Sequence, residues 1–141
     1  MKSSRSKNAP SGWTFTGLNY GVWSFSKYDR CSRAKNNWYG WCDHGAKTWC
    51  DGSGSIKTKL SKCGKARLDF GNCCSTTGSD DTFQSQYVLA KLNGGEIGRA
   101  VPDSSKSVEF HFKDGDTLEL TDIDWSVIEF DDFNIISCYA C

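Results

Sequence analysis

Residues 107–120 read SVEFHFKDGDTLEL, and this stretch decides the fold class. Val108, Phe110 and Phe112 alternate with Glu109 and His111, so an extended chain turns three apolar side chains to one face. Asp114-Gly115 supplies a turn, because glycine takes positive φ at little steric cost. Leu118 and Leu120 resume the alternation, with Thr117 and Glu119 facing the other way. The reading is a β-hairpin with one charged, wet face and one dry face. The dry face needs a second layer to cover it.

The same alternation recurs on both sides of this stretch. Trp13 and Phe15, then Trp23 and Phe25, mark two short strands. Ile56, Thr58 and Leu60 oppose Lys57 and Lys59; Ala66, Leu68 and Phe70 oppose Arg67 and Asp69, with a turn expected at Lys62-Cys63-Gly64-Lys65. Residues 86–92 form a strand ended by the turn signal Asn93-Gly94-Gly95, with a short partner over 97–101. Residues 126–138 form the last strand, and Asp131-Asp132 reads as a bulge within it. No segment carries a helical stripe. Many short strands punctuated by glycine turns predict an antiparallel β-sandwich of jelly-roll type.

The series Gly64-Lys65-Ala66-Arg67-Leu68-Asp69-Phe70-Gly71-Asn72-Cys73, Leu92-Asn93-Gly94, Val108-Glu109-Phe110-His111-Phe112 and Gly115-Asp116-Thr117-Leu118-Glu119-Leu120 resembles the body of jelly-roll extracellular modules, among them carbohydrate-binding modules and lectin-type domains. The resemblance covers residues 64–138, about half the chain. It implies an all-β sandwich and, as an expectation, glycan binding.

At 141 residues the chain is read as one domain over residues 12–141, preceded by a disordered tail at 1–11. Met1 is followed by the polar run KSSRSKNAPSG, which reads as an expression start on a mature secreted fragment. No apolar run is long enough for a membrane span. The eight cysteines, Cys31, Cys42, Cys50, Cys63, Cys73, Cys74, Cys138 and Cys141, read as four disulfides in a secreted protein, with the pairing left open. Cys138-Tyr139-Ala140-Cys141 has redox-motif spacing but no βαβ context, so it reads as a staple on the last strand. Cys42, His44 and Cys50 are zinc-type ligands without paired short-spaced knuckles.

Charge is distributed unevenly beneath a net of zero. Residues 1–68 hold 13 Lys/Arg against 3 Asp/Glu, a local charge of +10; residues 69–141 hold 4 against 14, a local charge of −10. Interleaving of the halves would neutralise this across the surface. A bipolar molecule would instead self-associate through opposite faces.

Residues 29–54 differ in kind, with no durable period and three of the six tryptophans. A cross-linked excursion of that length is where recognition is expected. The aromatics Trp38, Tyr39 and Trp41 supply flat rings for stacking on sugars, and Arg33, Lys35 and Lys47 supply donors for hydroxyl or anionic groups. A satellite core beneath the loop is the structural alternative. Base stacking fits the same residue types, but disulfides place the protein outside the cell, so nucleic acid is not an expected partner. Asp122, Asp124, Asp131 and Asp132, and separately Asp114 and Asp116, are hard-oxygen clusters that could hold calcium. Neither follows the EF-hand pattern. No nucleophile elbow is present, and His111 reads as a surface histidine on the wet face of its strand.

The leading reading is therefore a secreted glycan-binding module, calcium-assisted or not, whose partner is an extracellular glycan or matrix polymer. A structural or adhesive extracellular protein is the alternative. A secreted enzyme or toxin-like effector comes third, lowered by the missing catalytic constellation.

Overall fold

The computed structural model describes residues 9–16, 22–24, 38–40, 53–73, 87–123 and 126–141. They form ten strands: β1 (Thr14–Thr16), β2 (Val22–Ser24), β3 (Trp38–Gly40), β4 (Ser53–Lys59), β5 (Cys63–Asn72), β6 (Tyr87–Leu92), β7 (Gly95–Ala100), β8 (Ser104–Phe112), β9 (Thr117–Ile123) and β10 (Ile128–Tyr139). Two five-stranded antiparallel sheets result, in the orders β1-β4-β9-β6-β7 and β2-β3-β10-β5-β8. The all-β sandwich read from the alternation is the fold observed. No described helix is long and apolar enough to cross a membrane.

The opening stretch is organised differently from the expected hairpin. β8 pairs with β5, whereas β9 pairs with β4 and β6 in the other sheet. The turn at 113–116 therefore crosses between layers. A hairpin would have left both apolar faces on one side of one sheet, still uncovered. Crossing lets Phe110 and Phe112 (7% and 3% exposed) meet Leu118 and Leu120 (both 0%) from opposite sides of one core. β4 and β5 are joined in the same way, and the turn is tighter than the expected four residues. Lys62 takes φ 69°, which lets β5 begin at once at Cys63.

Between the layers lie Ile56, Val88 and Ala90 on one side and Ala66, Leu68, Phe70 and Ile128 on the other, all fully buried. Trp13 closes one flank by packing edge-on to Phe130 (5.2 Å) and Phe133 (6.1 Å). The chain is already placed at Ala9, which packs against this core. The β6–β7 turn is a true hairpin. Asn93 (φ 52°) and Gly94 (φ 84°) adopt the left-handed pair that the Asn-Gly signal predicts.

β10 is long because it bulges. Its register on β5 slips between Phe130 and Asp132, as the Asp-Asp step predicts, and again between Ile135 and Ser137. Beyond Phe130 its outer edge has no partner strand among the described residues, since β3 pairs only with Ile128–Phe130.

One end of the sandwich is closed by polar groups. The buried Asn72 side chain donates to Ala100 O (3.3 Å) and Ser126 Oγ (3.2 Å) and accepts from Val127 N (3.2 Å). A single amide thus ties β5 and β7 to the segment before β10. Asn72→Ala is expected to cost roughly 1–3 kcal/mol, because buried groups lose partners that water cannot replace. Equilibrium urea unfolding checks it; an unchanged midpoint would show that the amide is not holding this end.

Basic residues of the first half pair with acidic residues of the second. Lys65 meets Glu109 (3.1 Å), and Arg67 meets Asp69 (3.0 Å). Asp69 raises the Arg67 pKa, first through their hydrogen bond and then through charge. Along these two strands the halves interleave.

Candidate functional site

At the end of the sandwich opposite Asn72, three connections converge on a cleft of about 700 Å3. That size lies within the roughly 300–1,000 Å3 of small-ligand sites. Its walls come from the β6–β7 turn (Asn93), the end of β8 with the following turn (His111, Lys113, Asp114, Asp116), and the end of β10 (Tyr139). Residues distant in sequence meet here because β6, β7 and β9 lie in one sheet and β8 and β10 in the other.

The turn at 113–116 is held rigidly. Asp116 Oδ1 accepts from Asn93 Nδ2 (2.9 Å), and Oδ2 accepts from Lys113 N (2.8 Å). Asn93 Oδ1 accepts in turn from Thr117 N (2.9 Å), and Asp114 Oδ1 from Lys62 N (2.8 Å). The Asn93 bond first, and the Lys113 backbone bond second, hold the Asp116 pKa below its ordinary value. The folded pKa is depressed, so this stabilisation is present above the unfolded-state value of about 3.9 and is lost as pH falls through the lower folded value.

The opposite wall is fixed by a disulfide. Cys63 and Cys141, 78 residues apart, are bridged with Cα atoms 5.4 Å from each other. This pins the chain end to the start of β5 and sets Tyr139 beside His111, with ring centroids 6.2 Å apart. The Tyr139 hydroxyl donates to Gly64 O (2.9 Å), since a carbonyl can only accept. Its 2.6 Å contact with His111 Nδ1 must then run from the imidazole, which places the proton on Nδ1. In the neutral ring, Nε2 is left as an acceptor.

Among the described residues, three polar atoms on this cleft make no hydrogen bond or ion pair: His111 Nε2, Lys113 Nζ and Asp114 Oδ2. Beside them the Tyr139 ring is 47% exposed. An aromatic face next to two acceptors and a charged donor can stack on an apolar ring surface and bond the hydroxyls at its rim.

The residues expected to bind ligand fare differently. Trp38 and Tyr39 lie on β3, with register positions opposite Phe130 and Glu129. Trp41, Arg33, Lys35 and Lys47 lie outside the described residues, as do Cys31, Cys42, His44, Cys50, Cys74 and Asp124. Among the described residues no three His, Cys, Asp or Glu side chains converge as a metal site. Asp122 is buried on β9 and accepts from Gly54 N, while Asp131 and Asp132 stand on β10 in the other sheet. Asp132 accepts from Phe133 N (2.9 Å) and Asn134 Nδ2 (2.7 Å). Asp114 and Asp116 brace the cleft turn.

Cys73 is disulfide-bonded, like Cys63 and Cys141. Against the expectation that all eight cysteines are bridged, Cys138 carries a free, exposed thiol. Its register partner on β5 is Gly64.

Sequence reasoning missed the cleft. Its one local signal was Tyr139 between Cys138 and Cys141, a ring beside a residue that a disulfide fixes.

No protein-family model matches the chain, and no curated protein matches it in sequence. Among solved structures, the chain is similar to the K3 cleaved adhesin domain of Lys-gingipain from Porphyromonas gingivalis w83, at 12% identity and TM-score 0.53, covering 94% of this chain and 97% of that one. It is also similar to a family 35 carbohydrate binding module from Clostridium thermocellum, at 13% identity and TM-score 0.39, covering 62% of this chain and 72% of that one. The first of these likenesses shows a shared sandwich fold.

Proposed function

We propose that this protein is an extracellular glycan-binding module that holds its ligand in the cleft between Asn93, the 113–116 turn and Tyr139. The observation that carries the reading is the half-exposed Tyr139 set beside His111 Nε2, Asp114 Oδ2 and Lys113 Nζ, none of which makes a hydrogen bond or ion pair with the described residues. Sugars present an apolar ring face edged by hydroxyls, and this arrangement answers both features. The donors and acceptors are set by a disulfide and a braced turn, so little ordering accompanies binding. An extracellular location agrees with the Cys63–Cys141 bridge, because such bonds persist in oxidising compartments. The gingipain domain with this fold is an adhesin by description; for this chain the reading rests on the cleft.

A glycan array probed with wild type and Tyr139→Ala, in calcium and in EDTA, tests the proposal. Wild type is expected to select a defined set of glycans. Tyr139→Ala should bind them about fivefold more weakly, the equivalent of ~1 kcal/mol for a lost stacking contact. Its unfolding curve should stay close to wild type. No selection by wild type, or equal binding by the variant, would overturn the reading. Loss in EDTA would assign calcium the role expected from the acidic clusters.

A further inference from the structure

We propose that two copies of this chain pair antiparallel along the outer edge of β10, across a two-fold axis near Ile136. The paired stretch is 133–139, FNIISCY. Among the described residues no strand lies against that edge, since β3 pairs only as far as Phe130 and β5 occupies the other side. An open strand edge presents backbone N–H and C=O groups that a further strand satisfies. The side chains along it favour contact as well. Ile135 and Ile136 are 46% and 48% exposed, and with Tyr139 they make up three of the four exposed large hydrophobics among the described residues.

Charge identifies a second copy as the occupant. Residues 133–139 include no charged residue, no glycine and no proline. The edge strands β7 and β8, by contrast, carry Glu96, Arg99, Lys106 and Glu109. Such charges guard an edge against pairing, and β10 lacks them beyond Asp132. In a two-fold arrangement, residues near the axis meet their own copies, so a charged strand repels itself and a neutral one does not. With the axis near Ile136, Asp131 and Asp132 fall at the ends of the paired stretch, away from their own copies. Cys138 then stands about four residues along the ladder from its copy, ~13 Å away. That exceeds the Cα separation of about 4.4–6.8 Å that a disulfide spans. The dimer therefore leaves the Cys138 thiol free, as it is in the single chain. Pairing also sets two Tyr139 residues on one continuous sheet. On the glycan-binding reading, on which this consequence alone rests, the dimer offers two clefts to one ligand surface.

Analytical ultracentrifugation of the full chain across a dilution series, at low and high salt and with and without N-ethylmaleimide, tests this. The expected result is a reversible monomer–dimer equilibrium that persists in high salt and after the free thiols are capped. Ile136→Lys sets a charge at the axis and should weaken the dimer by about tenfold or more. Its denaturant midpoint, measured on dilute monomer, should match wild type because Ile136 is exposed. Hydrogen exchange on wild type gives a readout that needs no variant: amides of 133–139 should exchange more slowly as concentration rises. A chain monomeric throughout, a dimer that salt dissolves, a dimer that thiol capping abolishes, a dimer that Ile136→Lys leaves intact, or exchange at 133–139 that ignores concentration would each overturn the proposal. None of these readouts involves a glycan, so the dimer and the glycan-binding reading fail separately.

Discussion

Phe110→Ala is expected to destabilise the protein by about 3–5 kcal/mol, whereas Glu109→Ala should stay within about 0.5 kcal/mol. The two residues are neighbours on β8 and occupy opposite faces. Phe110 is 7% exposed and belongs to the core between the sheets, so truncation leaves a cavity ringed by side chains that cannot collapse into it. Glu109 lies on the outer face, where its Oε1 meets Lys65 Nζ at 3.1 Å with both side chains substantially exposed. Such pairs contribute little in water. Denaturant melts of the two variants check the difference. Similar losses would mean that the faces of β8 are wrongly assigned.

The second large effect concerns the Cys63–Cys141 bridge. Cys141→Ser is expected to cost roughly 2–5 kcal/mol, towards the upper end because the bond closes a loop spanning 78 residues. Cys63 is buried at the start of β5, and Cys141 is the last residue of the chain. Without the bond the segment after β10 is released, and Tyr139 loses the constraint that sets it beside His111. Thermal unfolding under oxidising conditions should show a lower Tm for the variant. A variant melting with wild type would show that the C-terminus is held by other contacts.

Alternation in the sequence specified which residues face inward, because a strand's side-chain period is 2 whatever its partner. It did not specify the partner. Val108 to Leu120 reads the same in a hairpin as in a crossing between sheets, and only the need to cover two dry faces at once favours the crossing. The Asp131 bulge was legible because two adjacent carboxylates break the alternation between Phe130 and Phe133. The second bulge near Ile136 was not, since Ile135-Ile136 continues an apolar run without marking a step. The cleft was hidden for a topological reason. Asn93, His111, Asp114 and Tyr139 belong to three separate stretches, and no local pattern declares that they share one end of the molecule. Asp114 and Asp116 were legible as oxygen donors, but not as the braces of a turn. Their oxygens accept from Lys62 N, Asn93 Nδ2 and Lys113 N, which makes them braces for the site.

The excursion over 29–54 and the cleft are rival locations for ligand contact, and one measurement separates them. A glycan selected on the array would be titrated into 15N-labelled protein while amide and indole resonances are followed. The account predicts progressive shifts at Asn93, His111, Lys113, Asp114 and Tyr139, with the indole signals of Trp38, Trp41 and Trp49 unmoved. Shifts confined to those indoles, with the cleft residues silent, would contradict it.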